Sequence, residues 1–180
     1  SYFDPYYYVY EYYGSDITEA KNSTYYGTYG VLYNWEAAEG ACPTGWHLPS
    51  DLESTEMENY LILNGYCYDG STIISSGYVD MKIAKSLGSK NGWAFSNVEG
   101  TVGNTDFPEN RNATGFSMLP SGARIPTKIF RDQITNGFWW NSTKLGDYDA
   151  RYRAMTFCYY PVFSNSSRID WGFSVRCIKD

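Results

Sequence analysis

Nine side chains near the end of the chain combine aromatic rings with charged groups, a combination suited to binding another molecule. They are Tyr148, Asp149, Arg151, Tyr152, Tyr159, Tyr160, Phe163, Asp170 and Trp171. Tyrosine, tryptophan and arginine dominate binding hot spots in protein interfaces. A protein core does not require such a mixture, so we predict that these residues form an exposed, non-enzymatic ligand-binding site.

A strand must position much of this set, because residues 151–158 alternate in character. Arg153, Met155 and Phe157 share one parity, whereas Tyr152 lies on the other. Period two is typical of a β-strand with two unlike faces. Met155 and Phe157 fit a core, so we expect their parity to point inward and the parity of Tyr152 to be exposed.

A second alternating run closes the chain, with Phe173, Val175 and Cys177 on one side. The Ser/Asn cluster at 164–167, between the two runs, is typical of a turn. These patterns predict a terminal hairpin whose inner face is structural and whose outer face and loop are displayed.

Length and charge limit the class of protein. The 180 residues suffice for one domain with a core, or for a domain and a short extension. A net charge of −6 argues against a nucleic-acid partner, because binding phosphates needs a basic face. No apolar run approaches the length of a membrane span, so we expect no insertion of this domain into a membrane.

Tyrosine is unusually frequent at the start of the chain, since 11 of the 19 tyrosines lie in the first 33 residues. Such segments are typical of edge or surface strands. We assign residues 1–28 to tyrosine-rich strands or an extension of the same domain as residues 29–180. A structural role in surface assembly is an alternative function for this segment.

Residues 22–30 are expected to form a loop, and Val31–Tyr33 a short buried strand. Asn34 then fits the N-cap of a brief helix, residues 35–39, that ends at Gly40. The irregular stretch 88–122 is long for a compact domain.

Two further helices are expected between this brief helix and the irregular stretch. Ser50 and Glu53 form a capping box for the first. Its apolar stripe consists of Leu52, Met57, Tyr60, Leu61 and Leu63. The second spans residues 81–87, with Asp80 as its cap. Strands, helices, long loops and then strands indicate an α+β domain.

The four cysteines, Cys42, Cys67, Cys158 and Cys177, allow three pairings if all are bridged. None forms a CxxC motif, which argues against a structural zinc site. Their wide spacing favours disulfides in an oxidising compartment, and buried free thiols are the alternative.

Five motifs resemble, in order, those of the Fibrobacter succinogenes major paralogous domain family. They are YGVLYNWEAA (29–38), ACPTGWHLPSDLE (41–53), NATGFSMLPSGAR (112–124), FWWNST (138–143) and GFSVRCIKD (172–180). Members occur in secreted and surface proteins of Bacteroidetes. The resemblance therefore implies an extracellular or cell-surface location in bacteria, or a phage particle, and a protein or glycan ligand on a cell surface.

That family is similar to C-type lectin-like domains, including formylglycine-generating enzymes and the variable proteins of diversity-generating retroelements. The resemblance implies two helices on small antiparallel sheets, long irregular loops and adjacent termini. It also implies a disulfide between Cys42 and Cys177. Cys67 and Cys158 are then the leftover pair, and whether they are bridged stays open.

The relation to retroelement proteins gives the proposed site a possible origin. Retroelements randomise adenines in AAY codons, which cannot yield Lys, Glu, Gln, Met or Trp. Residues 145–167 contain no Lys, Glu, Gln or Trp, and their one methionine, Met155, has the inner parity. This composition agrees with a diversified surface, and ordinary surface drift is the alternative that accounts for it without a retroelement.

Catalysis is not expected. His47 is the only histidine, and its place before a capped helix indicates packing or hydrogen bonding. The similarity to formylglycine-generating enzymes would require two cysteines close in sequence, which Cys158 and Cys177 are not.

A lectin that binds glycans, with or without calcium, is the second hypothesis. It would use Trp139 or Trp140, at most one of which a strand exposes. One loop carries the oxygen-bearing residues Glu99, Asn104, Asp106, Glu109 and Asn110. Calcium prefers such ligands, but solvated loop polarity is the favoured account of them, and we predict no cofactor.

Overall fold

The computed structural model of the chain describes residues 4–74 and 81–180. The helices are α1 (Ile17–Lys21), α2 (Thr24–Tyr29), α3 (Trp35–Glu39), α4 (Asp51–Leu63) and α5 (Ala84–Leu87). The strands are β1 (Tyr7–Tyr8), β2 (Leu32–Tyr33), β3 (Trp46–His47), β4 (Ala123–Arg124), β5 (Phe130–Arg131), β6 (Asn136–Leu145), β7 (Asp149–Thr156), β8 (Phe163–Arg168) and β9 (Ile178–Lys179). Helices combined with small antiparallel sheets make this an α+β fold, as the sequence predicts.

The main sheet has the order β6-β7-β8, and a hydrophobic cluster covers each of its faces. On one face, Trp139 and Met155 pack in the cluster that contains Leu61 of α4. On the other face, Trp140 and Ala154 belong to the cluster around Phe173. The expected inward parity of Met155 is therefore confirmed, but the opposite face of β7 is also core.

The predicted terminal hairpin is wrong. Residues 164–167 lie inside β8, which pairs with β7, rather than in a turn. Phe173 instead bridges Tyr33, and β9 pairs with β3. Serine and asparagine occur in β8 because no described residue pairs with its outer edge, so their polar groups can reach water.

Helix α4 confirms the predicted capping box: Glu53 N–H donates to Ser50 Oγ at 3.2 Å, and Ser50 N–H donates to Glu53 Oε2 at 2.8 Å. Its predicted apolar stripe is only partly correct: Leu61 is buried and Met57 packs against the core, but Leu52 is 67% exposed, and Tyr60 and Leu63 are exposed too. The buried positions of α4 are Ser54, Glu58, Leu61 and Ile62.

Other helices agree with the sequence in part. Asn34 caps α3 as expected. Residues 24–29 form α2 rather than a loop, because Ser23 Oγ accepts a hydrogen bond from Tyr26 N–H and starts the helix. Helix α5 begins after Ile83 without a side-chain cap. The proposed cap, Asp80, lies outside the described residues.

The tyrosine-rich segment that begins the described part of the chain lies close to residues 172 and 173. Tyr7 of β1 is paired with Tyr33 of β2, which also bridges Phe173. A Cβ atom added to Gly172 would come within 2.9 Å of the Tyr8 ring, so only glycine permits this approach. The tyrosine-rich segment therefore packs directly on the C-terminal part of the chain.

The disulfide implied by the family resemblance is present. Cys42 and Cys177 are bonded, with their Cα atoms 5.7 Å apart and a separation of 135 positions in sequence. Cys67 and Cys158 are both free, so the leftover pair is not formed. Burial raises the pKa of the Cys67 thiol.

Among the described residues, no helix combines the length and the apolar character needed to cross a membrane.

Candidate functional site

The structure separates the nine predicted site residues into two groups at opposite ends of β7. The pairing of Asp149 with Arg168 marks one end, and that of Ala154 with Phe163 marks the other. Tyr148, Asp149, Asp170 and Trp171 belong to the first group, and Tyr159, Tyr160 and Phe163 to the second. Arg151 and Tyr152 lie between them on opposite faces of the strand. The nine residues therefore do not form one site on one face.

Tyr152 is half-buried rather than displayed, so the prediction of an exposed outer parity is wrong for it. Its ring lies 4.8 Å from that of Phe173 and 6.0 Å from that of Phe138, measured between centroids. Burial accordingly raises the pKa of Tyr152. The segment that follows β8 folds over this face of the sheet, and Ile169 and Phe173 are buried against it.

A partly exposed strip remains along β8, next to this buried region. Opposed residues of paired strands project from the same side, so Asn165 shares a side with Tyr152, and Phe163 with Ala154. We name this strip the aromatic face and define it by Tyr152, Tyr159, Phe163, Asn165, Ser167 and Trp171. Its residues are half-buried except Asn165 and Tyr159, which are exposed.

Phe173 supports the aromatic face from below. The Trp171 ring lies 5.8 Å from the Phe173 ring, and Tyr152 contacts the same ring from another side. At the far end, the ring of Tyr159, which is 57% exposed, meets that of Phe163 edge-on at 6.1 Å. The half-buried rings are thus held in place while part of each ring stays accessible.

Tyr160 belongs to a different part of the structure. Its ring packs 5.9 Å from that of Tyr68, and its carbonyl accepts a hydrogen bond from Ala84 N–H at 3.2 Å. These contacts tie the β7–β8 connection to α5. Tyr160 therefore has a clear structural role, unlike exposed Tyr159.

Charged groups border the Trp171 end of the aromatic face. The Arg168 guanidinium donates to both carboxylate oxygens of Asp170, at 3.2 and 2.9 Å. Burial raises the pKa of Tyr8, and Asp170 contributes in the same direction. The Arg124 guanidinium lies 3.9 Å above the Tyr8 ring, in cation–π contact. The N-terminal tyrosines therefore adjoin this end of the face.

Arg153 organises the opposite face of β7. Its Nε donates to Glu58 Oε1 at 2.7 Å, and both side chains are buried. Its Nη1 also contacts the Asp51 carboxylate and donates to Ser164 Oγ at 2.8 Å. Burial favours a higher pKa for Asp51, but the Arg153 charge prevails and holds that pKa below its usual value.

Sequence reasoning placed Arg153 inward but missed its carboxylate partners. An arginine on a core parity is itself a signal, because a buried charge needs an opposite charge and hydrogen-bond acceptors. Glu58 and Asp51 are the acceptors that this rule requires, and both lie on α4. The network therefore joins the helix to the sheet.

His47 has the hydrogen-bonding role that the sequence indicates. Its Nδ1 lies 2.7 Å from Asp180 Oδ1, and its Nε2 lies 3.0 Å from Glu53 Oε1. These contacts raise the pKa of His47, with Asp180 as the main cause. Both ring nitrogens are engaged by carboxylates, so neither is placed to activate a serine hydroxyl.

The His47 contacts predict a pH dependence of stability. The folded-state pKa of His47 is raised above 6.5, so its contribution is complete below that pH and is lost as pH rises through the raised pKa. Hydrogen bonds from Ser50 are the main cause that lowers the pKa of Glu53 from 4.5 to about 2. That contribution is present above pH 4.5 and is lost as pH falls towards 2.

Both contributions are present together between pH 4.5 and 6.5, so we expect the melting temperature to be highest in this range. Thermal melts across pH 4 to 9 of wild type and His47→Gln measure the effect. The variant is expected to lose the decline above neutral pH, and an unchanged decline would assign it to other groups.

The oxygen-rich loop at 99–110 already holds a positive charge. Lys85 is fully buried, and its Nζ donates to Asn104 O at 3.0 Å and contacts the carbonyl and carboxylate of Asp106. Asp106 Oδ2 also accepts a hydrogen bond from Gly100 N–H at 2.8 Å. The ammonium thus uses oxygens that a calcium ion would need. Among the described residues, no three His, Cys, Asp or Glu side chains gather as a metal site would require.

The two tryptophans of the lectin hypothesis lie in the core. Trp139 is 1% exposed and Trp140 is 0% exposed. Trp140 Nε1 donates to Tyr33 O at 2.8 Å, so its polar atom is satisfied internally. Both tryptophans are buried because each face of β6 is covered by a hydrophobic cluster. Glycan binding through either tryptophan is therefore ruled out by its burial.

Comparison with known proteins gives one match. A family model described as Fibrobacter succinogenes major domain matches residues 4–179. The match includes most of the tyrosine-rich segment, whereas the resemblance seen in the sequence begins at residue 29. No curated protein matches the chain, and no solved structure does.

Proposed function

This chain belongs to the Fibrobacter succinogenes major domain family, and we propose that it is a non-enzymatic binding domain. It recognises a protein or glycan on a cell surface through the aromatic face. In this proposal the domain acts outside the cell, on a bacterial surface or a phage particle. The Cys42–Cys177 disulfide supports that location, because disulfides persist in oxidising compartments.

One observation carries the proposal: Tyr152, Phe163 and Trp171 are held from behind by core residues yet remain partly accessible. Rings fixed in this way lose little conformational entropy when a partner binds, so contact area is converted efficiently into affinity. Asn165 and Ser167 supply polar groups between the rings. Aromatic anchors beside adaptable polar groups are typical of protein-binding surfaces.

The proposal includes a C-type lectin-like fold. Three features support it: the pairing of β3 with β9, the contact between Tyr33 and Phe173, and the Cys42–Cys177 disulfide. Each brings an early segment of the chain against a late one, as the adjacent termini of that fold require.

Diversification by a retroelement is a further part of the proposal. It predicts that variants of the gene differ at Tyr152, Phe163, Asn165 and Ser167, whose side chains reach the aromatic face. Arg153 and Met155 are expected to stay constant because both are buried in the core. Sequencing the locus for a reverse transcriptase and a near-repeat, and comparing variants, tests this part directly.

We expect Asn165→Arg and Tyr159→Ala to reduce binding at least about tenfold while leaving the melting temperature within a few degrees, since both side chains are exposed. Asn97→Arg, an equal charge change on an exposed loop, is the matched control. The labelled protein is applied to a glycan array, with calcium or with EDTA, and to intact bacterial cells.

If both site variants keep the wild-type binding signal, the aromatic face is not the binding site. Loss of glycan signal on EDTA treatment would instead favour a calcium-dependent lectin. Tyr152→Ala serves a different purpose, because the packing of its ring on Phe173 predicts a loss of stability as well as of binding.

A further inference from the structure

The N-terminal segment forms a cleft of about 390 Å³ that shares no lining residue with the aromatic face. Its lining comes from β1, the turn that follows, α1, α2 and β2, together with Lys128. Six tyrosines line it: Tyr7, Tyr8, Tyr12, Tyr13, Tyr26 and Tyr33. Its size falls within the range of pockets that bind small ligands, roughly 300–1,000 Å³.

The tyrosines of the cleft can contact a ligand through their ring faces and through their hydroxyl groups. Tyr7 and Tyr13 are exposed, and Ile17 beside them is exposed as well. Tyr12 is fixed, because its hydroxyl donates to Glu19 Oε2 at 2.9 Å and accepts from Asp16 N–H at 3.0 Å. Large apolar side chains exposed together in a concave site indicate an interaction site rather than ordinary surface.

The charge of the cleft differs in sign from that of the whole chain. Lys21 and Lys128 line it, and neither side chain makes a hydrogen bond or ion pair with another described residue. Asp16 also lines the cleft, but its carboxylate caps α1 by accepting from Glu19 N–H at 2.9 Å, and the Glu19 carboxylate accepts from the Tyr12 hydroxyl. Two available ammonium groups therefore face a site walled by aromatic rings, in a chain of net charge −6.

We propose that this cleft binds a short acidic oligosaccharide, one whose pyranose rings carry carboxylates. The apolar C–H face of a pyranose stacks on a tyrosine ring, and its hydroxyls meet the phenol oxygens at the rim. The carboxylates pair with Lys21 and Lys128 in charge-assisted hydrogen bonds. This site is independent of the aromatic face, so the domain has two binding surfaces.

A carbohydrate fits the lining better than an extended peptide does. Strand β1 spans only two residues, so it offers too short an edge for the addition of an extended peptide strand, and most of the residues that line the cleft carry aromatic side chains or lie next to them. Stacking on several tyrosine faces suits a chain of flat sugar rings, and the unpaired lysines select a ligand with repeated negative charge.

The test uses trigalacturonate and its neutral counterpart, the galactose trimer of the same linkage, in calorimetric and NMR titrations of the intact protein. We expect trigalacturonate to bind at least about tenfold tighter at low salt, and the difference to shrink as salt screens the lysines. Tyr13→Ala is expected to weaken trigalacturonate binding about tenfold, because it removes an exposed stacking face.

Matched variants identify the site. Tyr60→Ala removes an equally exposed tyrosine from α4, and Lys90→Gln together with Lys179→Gln removes two exposed lysines elsewhere. These controls are expected to keep wild-type affinity, whereas Lys21→Gln with Lys128→Gln abolishes the preference for the charged trimer. Asn165→Arg leaves trigalacturonate binding intact, because it alters only the aromatic face.

Three outcomes would overturn the proposal: absence of trigalacturonate binding, equal affinity for the two trimers, or loss of affinity in the control variants. Tighter binding of an acidic proline-rich peptide than of trigalacturonate would reassign the cleft to peptide recognition and overturn it as well.

Discussion

Replacing Arg153 by methionine is expected to lower the free energy of unfolding by about 3–5 kcal/mol, because it leaves a buried carboxylate without its partner. Glu58 is only 2% exposed, and Arg153 Nε is the donor that reaches its Oε1. The same substitution deprives Thr55 Oγ1 and Ser164 Oγ of hydrogen bonds from the guanidinium, at 2.9 and 2.8 Å.

The matched control is Arg151→Met, on the same parity of β7 but half-exposed. We expect this control to change the free energy of unfolding by less than about 1 kcal/mol, as for exposed charges generally. The double variant Arg153→Met with Glu58→Leu removes both charges together. It is expected to recover part of the loss, because no unpaired charge then remains at position 58.

Urea titrations of the four proteins, followed by tryptophan fluorescence, give these free energies and the coupling between positions 153 and 58. A loss for Arg153→Met no greater than that for Arg151→Met would show that the network contributes nothing to stability. Equal losses in the single and double variants would show that the unpaired carboxylate is not the cause.

Removing the Cys42–Cys177 disulfide by serine substitution at both positions is expected to cost about 2–5 kcal/mol of stability. The expectation lies towards the upper end because the bond closes a loop of 135 residues, and long loops gain most from closure in the chain-entropy description. It also fixes β9 beside β3, where Asp180 meets His47.

Cys158→Ser is the control for this experiment, since Cys158 is free and half-buried. Its unfolding midpoint is expected to stay near that of wild type, and dithiothreitol should lower the midpoint of wild type but not that of the double variant. Peptide mapping without reduction should recover Cys42 linked to Cys177. Recovery of both as free thiols from the folded protein would contradict the prediction.

Features that depend only on residues close together in sequence could be predicted from the sequence. The capping box of Ser50 and Glu53 and the cap at Asn34 are local hydrogen bonds within one turn, so the sequence contains both partners. The inward parity of Met155 follows similarly from alternation along one strand. The disulfide and the family membership were instead predicted from the resemblance of sequence motifs, not from interactions between residues close in sequence.

The buried face of α4 could not be read in this way. Its inward positions include Ser54 and Glu58, while Leu52 points to solvent. A helix buries a glutamate only if a partner from elsewhere neutralises it, and that partner, Arg153, is 95 residues away in sequence. Apolar periodicity therefore located Leu61 and Met57 correctly but misplaced the rest of the buried face, because it takes no account of an opposite charge that is distant in sequence.

The location of the candidate site was decided by tertiary structure alone. Alternation in β7 showed that Tyr152 and Met155 face opposite ways, but an alternating pattern does not show what covers each face. Phe173, which arrives from beyond β8, covers the side of Tyr152 and leaves only the strip along β8 accessible. The tyrosine cleft arises likewise from segments that the chain brings together only on folding, since Lys128 lines it beside residues from the 7–33 segment.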